Sequence, residues 1–330
     1  MYIPEPSRYE TMHFDRCGNS GILLPKLAFG LWQNFGSGNT MDRMKELIFT
    51  AFDLGIVHLD LANNYGPVRG AAEENFGKIL KDDLMPYRDE LIITTKAGYD
   101  MWPGPYGNWG SRKYLTASLD QSLKRMGVDY VDIFYHHRPD YETPVEETAQ
   151  ALTDLVRSGK ALYIGLSNYD NEQVKKILPI LKENKTPCLI NQNRYNLLER
   201  KVEDGFLDIM EEFGSGLISF SPLAQGMLTD KYLNGIPSDS RAAHQGTSIA
   251  ERYINDNNRA KVSRLNDVAK ERGQSLAQMA LQWVLRDRRV TAVLVGASRP
   301  EQLKENVKIL DAPAFTEEEL HRIDQILSNR

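Results

Sequence analysis

The sequence is short of several features that mark well-known classes of protein. Only two cysteines, Cys17 and Cys188, occur in its 330 residues, and they are far apart and lack the spacing of metal ligands. We therefore expect no disulfide framework, and this cysteine usage is typical of a reducing cytoplasm. The chain has no apolar run of about 18 residues, so no transmembrane helix is expected. Its first residues also lack the basic start and apolar stretch of a secretory signal.

Basic residues are not in excess either. The chain has 40 lysines and arginines against 45 aspartates and glutamates, which gives a formal net charge of −5. Proteins that bind nucleic acid need a basic surface, so we expect neither nucleic acid nor a membrane as a partner. A local pocket for an anion is still compatible with this charge. Hydrophobic residues make up 41% of the chain, enough for a large buried core.

The dominant pattern is an alternation of short apolar runs with amphipathic helical stretches. Several runs are apolar for most of their length, as strands buried on both faces should be. This alternation predicts parallel strands joined by right-handed helical crossovers. The predicted strands are residues 27–30, 57–60, 91–96, 131–136, 163–167, 189–192, 217–220 and 292–296. The predicted helices include residues 42–54, 115–126, 172–178, 202–213 and 276–285. The third of these helices should stop before Pro179, which cannot donate a helix hydrogen bond.

Eight such units predict an α/β fold, a closed (β/α)8 TIM barrel that forms one domain over residues 1–330. The rival is an open doubly wound sheet, which would carry a glycine-rich turn after its first strand. Gly36 and Gly38 begin such a pattern, but Met41 follows where a third glycine is needed, and this favours the barrel. We also expect an N-terminal β-hairpin over residues 13–24 that closes the bottom of the barrel.

A long connection, residues 222–274, separates the seventh and eighth predicted strands. Loops of this length in a compact domain are usually functional or contain secondary structure of their own. We therefore expect it to contribute to the functional site or to contain further helices.

Ionisable residues follow the ends of the predicted strands, where barrels of this type hold their active sites. Asp60 and Tyr65 follow the second strand, and Lys96 ends the third. An ammonium beside the phenol would lower its pKa from about 10, and a carboxylate would keep that ammonium charged. Tyr65 could then act as a general acid toward a carbonyl oxygen that His137 polarises. No amino-acid side chain supplies hydride, so a nicotinamide is the simplest donor.

Eight segments spread along almost the whole chain resemble motifs of the aldo-keto reductase superfamily, in the same order. They are LAFGLW (27–32), HLDLANNYG (58–66), IITTK (92–96), HHRPD (136–140), GLSNY (165–169), INQNRYN (190–196), SPLAQGMLTDKY (221–232) and VGASRPEQLKEN (295–306). Two of these segments resemble the branch that holds the potassium-channel β-subunits and the bacterial L-glyceraldehyde 3-phosphate reductases. The segment DMWPGPYGNWGSRKYL after Lys96 resembles the bacterial reductases more closely.

The resemblance implies an NADP-dependent enzyme that reduces small aldehydes such as L-glyceraldehyde 3-phosphate or methylglyoxal. It implies that Tyr65 donates the proton and that Asp60 and Lys96 tune it. The histidine that orients the carbonyl is the one directly before Arg138, which is His137. The resemblance implies that the channel-subunit branch has asparagine at that position. A histidine there therefore favours a working reductase. His136 would then be a scaffold residue.

The resemblance also implies a cofactor site for NADP(H) along the strand ends. Ser298 and Arg299 open a predicted helix, and a helix N-terminus with a guanidinium suits a 2′-phosphate, which favours NADPH over NADH. The implied cofactor-binding residues are Trp32, Asp60, Ser167, Asn168, Gln192, Phe220, Ser221, Pro222, Leu223, Gln225, Gly226, Lys231, Arg241, Gly296, Ser298, Arg299, Gln302 and Asn306. The substrate pocket would consist of Trp32, Tyr65, Trp102, Trp109 and His137. Arg69, Arg112, Lys113 and Arg138 are four candidates to meet a substrate phosphate, and the sequence does not choose among them.

Two other functions stay open on the sequence alone. In the first, Lys96 would be the nucleophile of a Schiff-base aldolase or lyase. Such a nucleophile requires a lysine without a tight carboxylate partner, so the presence of Asp60 argues against this function. The second alternative resembles the channel β-subunits and is a redox-sensing module that binds NADPH tightly but turns over slowly. Related bacterial proteins also imply a homo-oligomer, a tetramer or a larger ring, in the cytoplasm.

Overall fold

The computed structural model describes residues 2–233, 235–237, 243 and 248–328. Two short strands come first, β1 (Phe14–Arg16) and β2 (Leu23–Pro25). The eight that follow are β3 (Leu27–Gly30), β4 (His58–Asp60), β5 (Ile92–Ala97), β6 (Val131–His136), β7 (Ala161–Ser167), β8 (Ile190–Arg194), β9 (Gly216–Phe220) and β10 (Val290–Val295). They close into a parallel barrel in the order β10-β3-β4-β5-β6-β7-β8-β9. The predicted (β/α)8 barrel is confirmed.

Helices surround the barrel strands. They are α1 (Met41–Asp53), α2 (Ala71–Ile79), α3 (Arg112–Met126), α4 (Val145–Arg157), α5 (Asn171–Glu183), α6 (Phe206–Glu212), α7 (Ser248–Arg252), α8 (Asp256–Glu271), α9 (Leu276–Leu285), α10 (Pro300–Val307) and α11 (Glu317–Ser328). The sequence explains why α1 forms. Thr40 caps its N-terminus by accepting from the Arg43 amide, and Met44, Leu47 and Ile48 lie buried along one face. Within the described ranges, no helix is both long and apolar enough to cross a membrane.

Side chains along each barrel strand alternate between the interior and the surrounding helices. On β6, Ile133 and Tyr135 belong to the cluster inside the barrel, whereas Phe134 packs in the larger cluster with the helices. Gly165 on β7 makes room for this interior, because a Cβ there would lie 2.4 Å from the Tyr135 ring. The interior is therefore a filled core, and inward-facing residues at the strand tops point toward the open end.

The hairpin β1–β2 closes the bottom of the barrel, as predicted. Its strands pair antiparallel, and the Asn19 amide donates to the Gly214 carbonyl just before β9 at 2.9 Å. Leu24 and Cys17 join the interior cluster from below, and the Cys17 thiol lies 3.5 Å from the Leu189 carbonyl oxygen. Cys17 and Cys188 are both free and buried.

The prediction that the third helix stops before Pro179 is wrong. Helix α5 continues through Pro179 to Glu183. Proline removes one backbone donor, but the helix buries apolar side chains on both sides of it, among them Val174 and Leu181. The burial of this face outweighs the local cost of the proline.

The predicted long connection between β9 and β10 contains helices of its own, α7 and α8. Asn255 caps α8 by accepting from the Asn258 amide at 2.8 Å. Residues 234, 238–242 and 244–247 of this connection lie outside the described residues.

Candidate active site

A buried ion pair lies at the open end of the barrel, between the last residue of β4 and the adjacent strand β5. The Lys96 ammonium is 2.5 Å from the Asp60 carboxylate, and both side chains are fully buried. The ammonium also donates to the Leu61 carbonyl at 2.7 Å and to the Tyr65 hydroxyl at 3.2 Å. These three acceptors match the three hydrogens of the ammonium. The Tyr65 oxygen therefore accepts from lysine, and its own hydrogen is left for another acceptor.

The Asp60 carboxylate is fixed from two sides of the barrel. Its Oδ1 accepts from the Thr94 hydroxyl at 2.9 Å and from the Gln192 amide at 3.0 Å, while Oδ2 faces Lys96. Thr94 lies on β5 and Gln192 on β8, across the barrel interior. A buried charge needs partners of this kind, so the ion pair is rigidly oriented.

Burial raises the pKa of Tyr65 well above 10, and the Asp60 and Tyr99 charges act in the same direction. Burial also lowers the pKa of Lys96, against the opposing effect of Asp60. The expectation that the ammonium lowers the pKa of Tyr65 is therefore wrong for this structure. Desolvation is the largest influence on the pKa of each group, although the Tyr65 side chain is only partly buried. Tyr65 thus keeps its proton at neutral pH, and the nearby ammonium can stabilise a phenolate only as it forms.

His137 faces the same site from the end of β6. It stands two residues after the inward-facing Tyr135, and its amide donates to the Ala97 carbonyl at 2.8 Å. Its ring centroid is 5.9 Å from that of Tyr65 and 4.7 Å from that of Tyr99. Burial, followed by the Lys96 charge, lowers the pKa of His137 well below 6.5, so the ring is neutral. Its Nδ1 has no hydrogen-bond partner among the described residues.

The neighbouring His136 has the opposite orientation. Its Nδ1 lies 2.6 Å from the Tyr169 hydroxyl, and burial lowers its pKa to about 4. This placement away from the interior is the one expected of a scaffold histidine.

Four of the predicted cofactor residues lie on β7, β8 and β9 or directly after β7, and one of them, Gln192, donates to Asp60 of the ion pair. Ser167 pairs in register with Gln192, and Phe220 ends the next strand. Asn168 adopts a left-handed φ of 58° and donates its side-chain amide to the His137 carbonyl at 2.9 Å. Such a φ is uncommon for residues other than glycine and is often found at functional sites. Asn168 is therefore held against the main chain of His137.

The loop after β9 has an unusual backbone. Ser221, Ala224 and Gln225 have positive φ values of 52°, 47° and 57°. Left-handed residues in such a turn can direct successive amides to one side, as in anion-binding loops. The predicted residues of this loop are Ser221, Pro222, Leu223, Gln225 and Gly226. Lys231 follows in the turn Asp230–Tyr232, where its side chain is exposed. The predicted Arg241 lies outside the described residues.

The predicted adenosine residues come together after β10. The Gln302 side-chain oxygen accepts from the Ser298 and Arg299 amides at 2.7 and 3.1 Å. Gly296 and Asn306 complete the set, at the start of this turn and on α10. Arg43 on α1, which was not among the predicted residues, also contacts this turn: its Nη2 donates to the Ser298 carbonyl at 2.7 Å. Because β10 pairs with β3, the helix that follows β3 lies next to α10, and this adjacency could have pointed to Arg43.

A profile of the aldo/keto reductase family matches residues 26–328, from the first barrel strand to the last helix. The chain belongs to this family. The resemblance stated from the motifs is confirmed.

Relatives of this aldo/keto reductase cover its whole length. L-glyceraldehyde 3-phosphate reductase from Escherichia coli O157:H7 is 56% identical over 100% of this chain and 96% of its own length. The protein of that name from Escherichia coli strain K12 is 55% identical with the same coverage. A probable voltage-gated potassium channel subunit beta from Oryza sativa subsp. japonica is 36% identical over 97% of this chain and 98% of its own length. These relatives belong to the two groups that the motifs predicted.

At the open end of this aldo/keto reductase, aromatic residues surround Tyr65 and His137. The Trp32 ring lies 6.2 Å from that of Tyr65 and is partly exposed. Trp102 instead packs on Tyr114, with ring centroids 5.3 Å apart. Trp109 is also exposed, and its ring contacts the Arg138 guanidinium. Tyr99, which lies against the His137 ring, was not among the predicted residues, although it follows Lys96 by only three positions.

A cavity of about 760 Å³ lies at the other end of the barrel, beside Lys26 at the start of β3. Its cationic lining residues include Lys26 and Arg286, which pair with Asp15 and Glu203. None of the residues predicted for chemistry lines it. The candidate active site is therefore the open end that contains the buried ion pair.

Proposed function

We propose that this aldo/keto reductase uses NADPH to reduce small aldehydes, among them L-glyceraldehyde 3-phosphate and methylglyoxal, to alcohols. The observation that carries the proposal is the Tyr65 hydroxyl, which is 3.2 Å from an ammonium locked in a buried ion pair. The bacterial relatives named L-glyceraldehyde 3-phosphate reductase support the choice of substrate.

The residues at the strand ends fit a nicotinamide. Ser167 and Asn168 offer polar groups on the rim beside His137, and Phe220 offers a partly buried ring at the end of β9. A nicotinamide bound there would supply the hydride. The turn with Ser298 and Arg299 at the start of α10, and Arg43 beside it, favours the 2′-phosphate of NADPH, because anions are stabilised at helix N-termini and by guanidinium groups.

In the proposed mechanism, the proton moves from Tyr65 to the carbonyl oxygen of the substrate. The hydroxyl accepts from Lys96, so its hydrogen is directed elsewhere, and the phenolate that forms remains beside the ammonium. The neutral His137 ring donates a hydrogen bond to the same carbonyl oxygen and polarises it. Asp60 holds Lys96 in position throughout.

The same contacts argue against a Schiff-base lyase. Lys96 donates to Asp60, Leu61 and Tyr65, and its ammonium has full hydrogen bonding. A lysine nucleophile must be free to attack, and this nitrogen is held by three hydrogen bonds.

The test follows NADPH absorbance with saturating methylglyoxal and, separately, with L-glyceraldehyde 3-phosphate, in wild type and in Tyr65→Phe. Loss of the proton donor should lower kcat by at least about 100-fold, the usual size of a general-acid contribution. NADPH binding, measured by fluorescence titration, serves as the control for folding and should be retained. Equal rates in the two proteins would show that Tyr65 is not the acid. Tight NADPH binding without turnover by wild type would favour a redox-sensing module.

A further inference from the structure

Arg138 directly follows His137, and hydrogen bonds and aromatic rings hold its guanidinium in place. Its Nε donates to the Gly98 carbonyl and its Nη2 to the Asn108 side-chain oxygen, both at 2.8 Å. Its central carbon lies 3.7 Å from the Trp109 ring centroid and 4.3 Å from that of Tyr99. Two hydrogen bonds and two aromatic contacts therefore fix the plane of this cation.

The guanidinium keeps most of its donors. Arginine has five N–H groups, and the two bonds of Arg138 use two of them, which leaves three. Across the described ranges, no carboxylate lies within ion-pair distance of Arg138. The other basic candidates differ, because Arg112 pairs with Asp154 at 3.0 Å and Lys113 lies over the Tyr106 ring. Arg69 is exposed on the surface.

The backbone of the loop around Trp109 positions the Trp109 ring against Arg138. Trp109 has a φ of 72°, which is a strained value for a bulky residue. Its amide donates to the Asn108 side-chain oxygen at 2.7 Å, and that oxygen is also the acceptor for Arg138. Backbone strain that is held in place by such contacts indicates a functional role for the arrangement.

Arg138 lies close to the group proposed to hold the carbonyl. The Tyr99 ring contacts both the His137 ring and the Arg138 guanidinium, so the two groups lie around one aromatic ring. In a three-carbon aldehyde phosphate, two carbons and one oxygen separate the aldehyde carbon from phosphorus. A molecule of this size would place its phosphate at Arg138 while its carbonyl oxygen lies at His137.

We propose that Arg138 binds the phosphate of a phosphorylated short-chain aldehyde and so determines the preference of this site for phosphorylated substrates. The inference rests on the proposed reductase function. A planar guanidinium whose faces contact aromatic rings can still offer its edge to two phosphate oxygens. Because the side chain is already ordered, binding costs little additional conformational entropy.

The test compares kcat/KM for L-glyceraldehyde 3-phosphate with kcat/KM for unphosphorylated L-glyceraldehyde, at saturating NADPH. In Arg138→Gln this ratio should fall by about 100-fold, as expected when a charge-assisted bidentate contact is lost. Lys113→Gln is the matched control, since it removes another of the four candidate cations without touching the proposed contact, and its ratio should stay within about twofold of wild type. NADPH binding and circular dichroism report whether each variant is folded.

A second measurement does not depend on turnover. Calorimetric titration of the NADPH-loaded protein with inorganic phosphate should show binding in wild type and Lys113→Gln but not in Arg138→Gln. An unchanged ratio in Arg138→Gln, or an equal fall in Lys113→Gln, would overturn the assignment. A wild type that reduces both aldehydes equally well would also overturn it, while the reductase function would stand. If neither aldehyde is reduced, the proposed function fails, and the phosphate titration alone then decides whether Arg138 binds phosphate.

Discussion

At the scale of single residues, burial controls the chemistry of this barrel more than charge pairing does. The sequence was sufficient to place Asp60, Tyr65 and Lys96 together, because inward-facing residues at the ends of adjacent parallel strands must meet. It could not give the direction of the Tyr65 pKa shift, which depends on how completely the packed structure excludes water. The contacts of Arg138 could not be predicted from the sequence either, because they come from a loop whose backbone is strained.

Burial of neutral histidines predicts that stability falls in acid. Burial lowers the pKa of His58 and of His136 from 6.5 to about 4. The unfolded chain then binds more protons than the native protein between these values, so stability is complete above pH 6.5 and declines toward pH 4. Each histidine contributes at most about 1.4 kcal/mol per pH unit.

Urea unfolding at a series of pH values from about 8 to about 5 measures this decline. His58→Gln is the informative variant, because the ring nitrogens of His58 have no hydrogen-bond partner among the described residues. The His58→Gln variant should lose part of the pH dependence of the free energy of unfolding, even if the substitution also changes the stability at neutral pH. A midpoint that does not change with pH in the wild type would contradict the prediction.

At the scale of elements, the alternation of apolar runs gave all eight barrel strands to within two residues at each end. Strands buried on both faces produce a strong signal, which explains this success. Helix ends were less predictable, since local rules competed with packing. Pro179 should end a helix, yet α5 runs through it because residues on both sides are buried against the barrel.

The proline in α5 predicts a stabilising substitution. Pro179 is exposed, so Pro179→Ala removes no core packing. Alanine restores a backbone donor and is favoured over proline by about 3 kcal/mol in a helix interior, although the more flexible unfolded chain offsets part of this gain. We expect the free energy of unfolding in urea to rise by about 1–2 kcal/mol. Lys175→Ala, also exposed on α5, is the control and should change it by less than about 0.5 kcal/mol. A less stable Pro179→Ala protein would show that the proline geometry is required.

At the scale of the whole molecule, the two ends of the barrel have separate tasks. The hairpin end is closed by apolar side chains such as Leu24, and the open end contains the ion pair of Asp60 and Lys96. The sequence predicted this division, because the hairpin precedes the first barrel strand and the polar residues follow the strand ends.

The division of tasks predicts that a change at the bottom affects stability alone. Leu24 is fully buried, whereas Leu23 beside it on β2 is 49% exposed. Leu24→Ala should lower the free energy of unfolding by about 2–4 kcal/mol, through lost burial and a residual cavity. Leu23→Ala, the matched control, should lower it by less than about 1 kcal/mol. NADPH affinity of the folded protein should be unchanged in both, and a weaker affinity in Leu24→Ala would mean that the two ends are coupled.

The two cysteines have a practical consequence for spectroscopy. Cys17 and Cys188 are buried, and burial raises the pKa of each thiol to about 12. Thiolates are the species that react with maleimide dyes, so we expect neither native cysteine to be labelled in the folded protein. Tyr106→Cys, at a position that is 56% exposed in the loop between β5 and α3, would then take up a single fluorophore. A change in that loop on addition of a ligand could then be measured on single molecules without first removing a native cysteine.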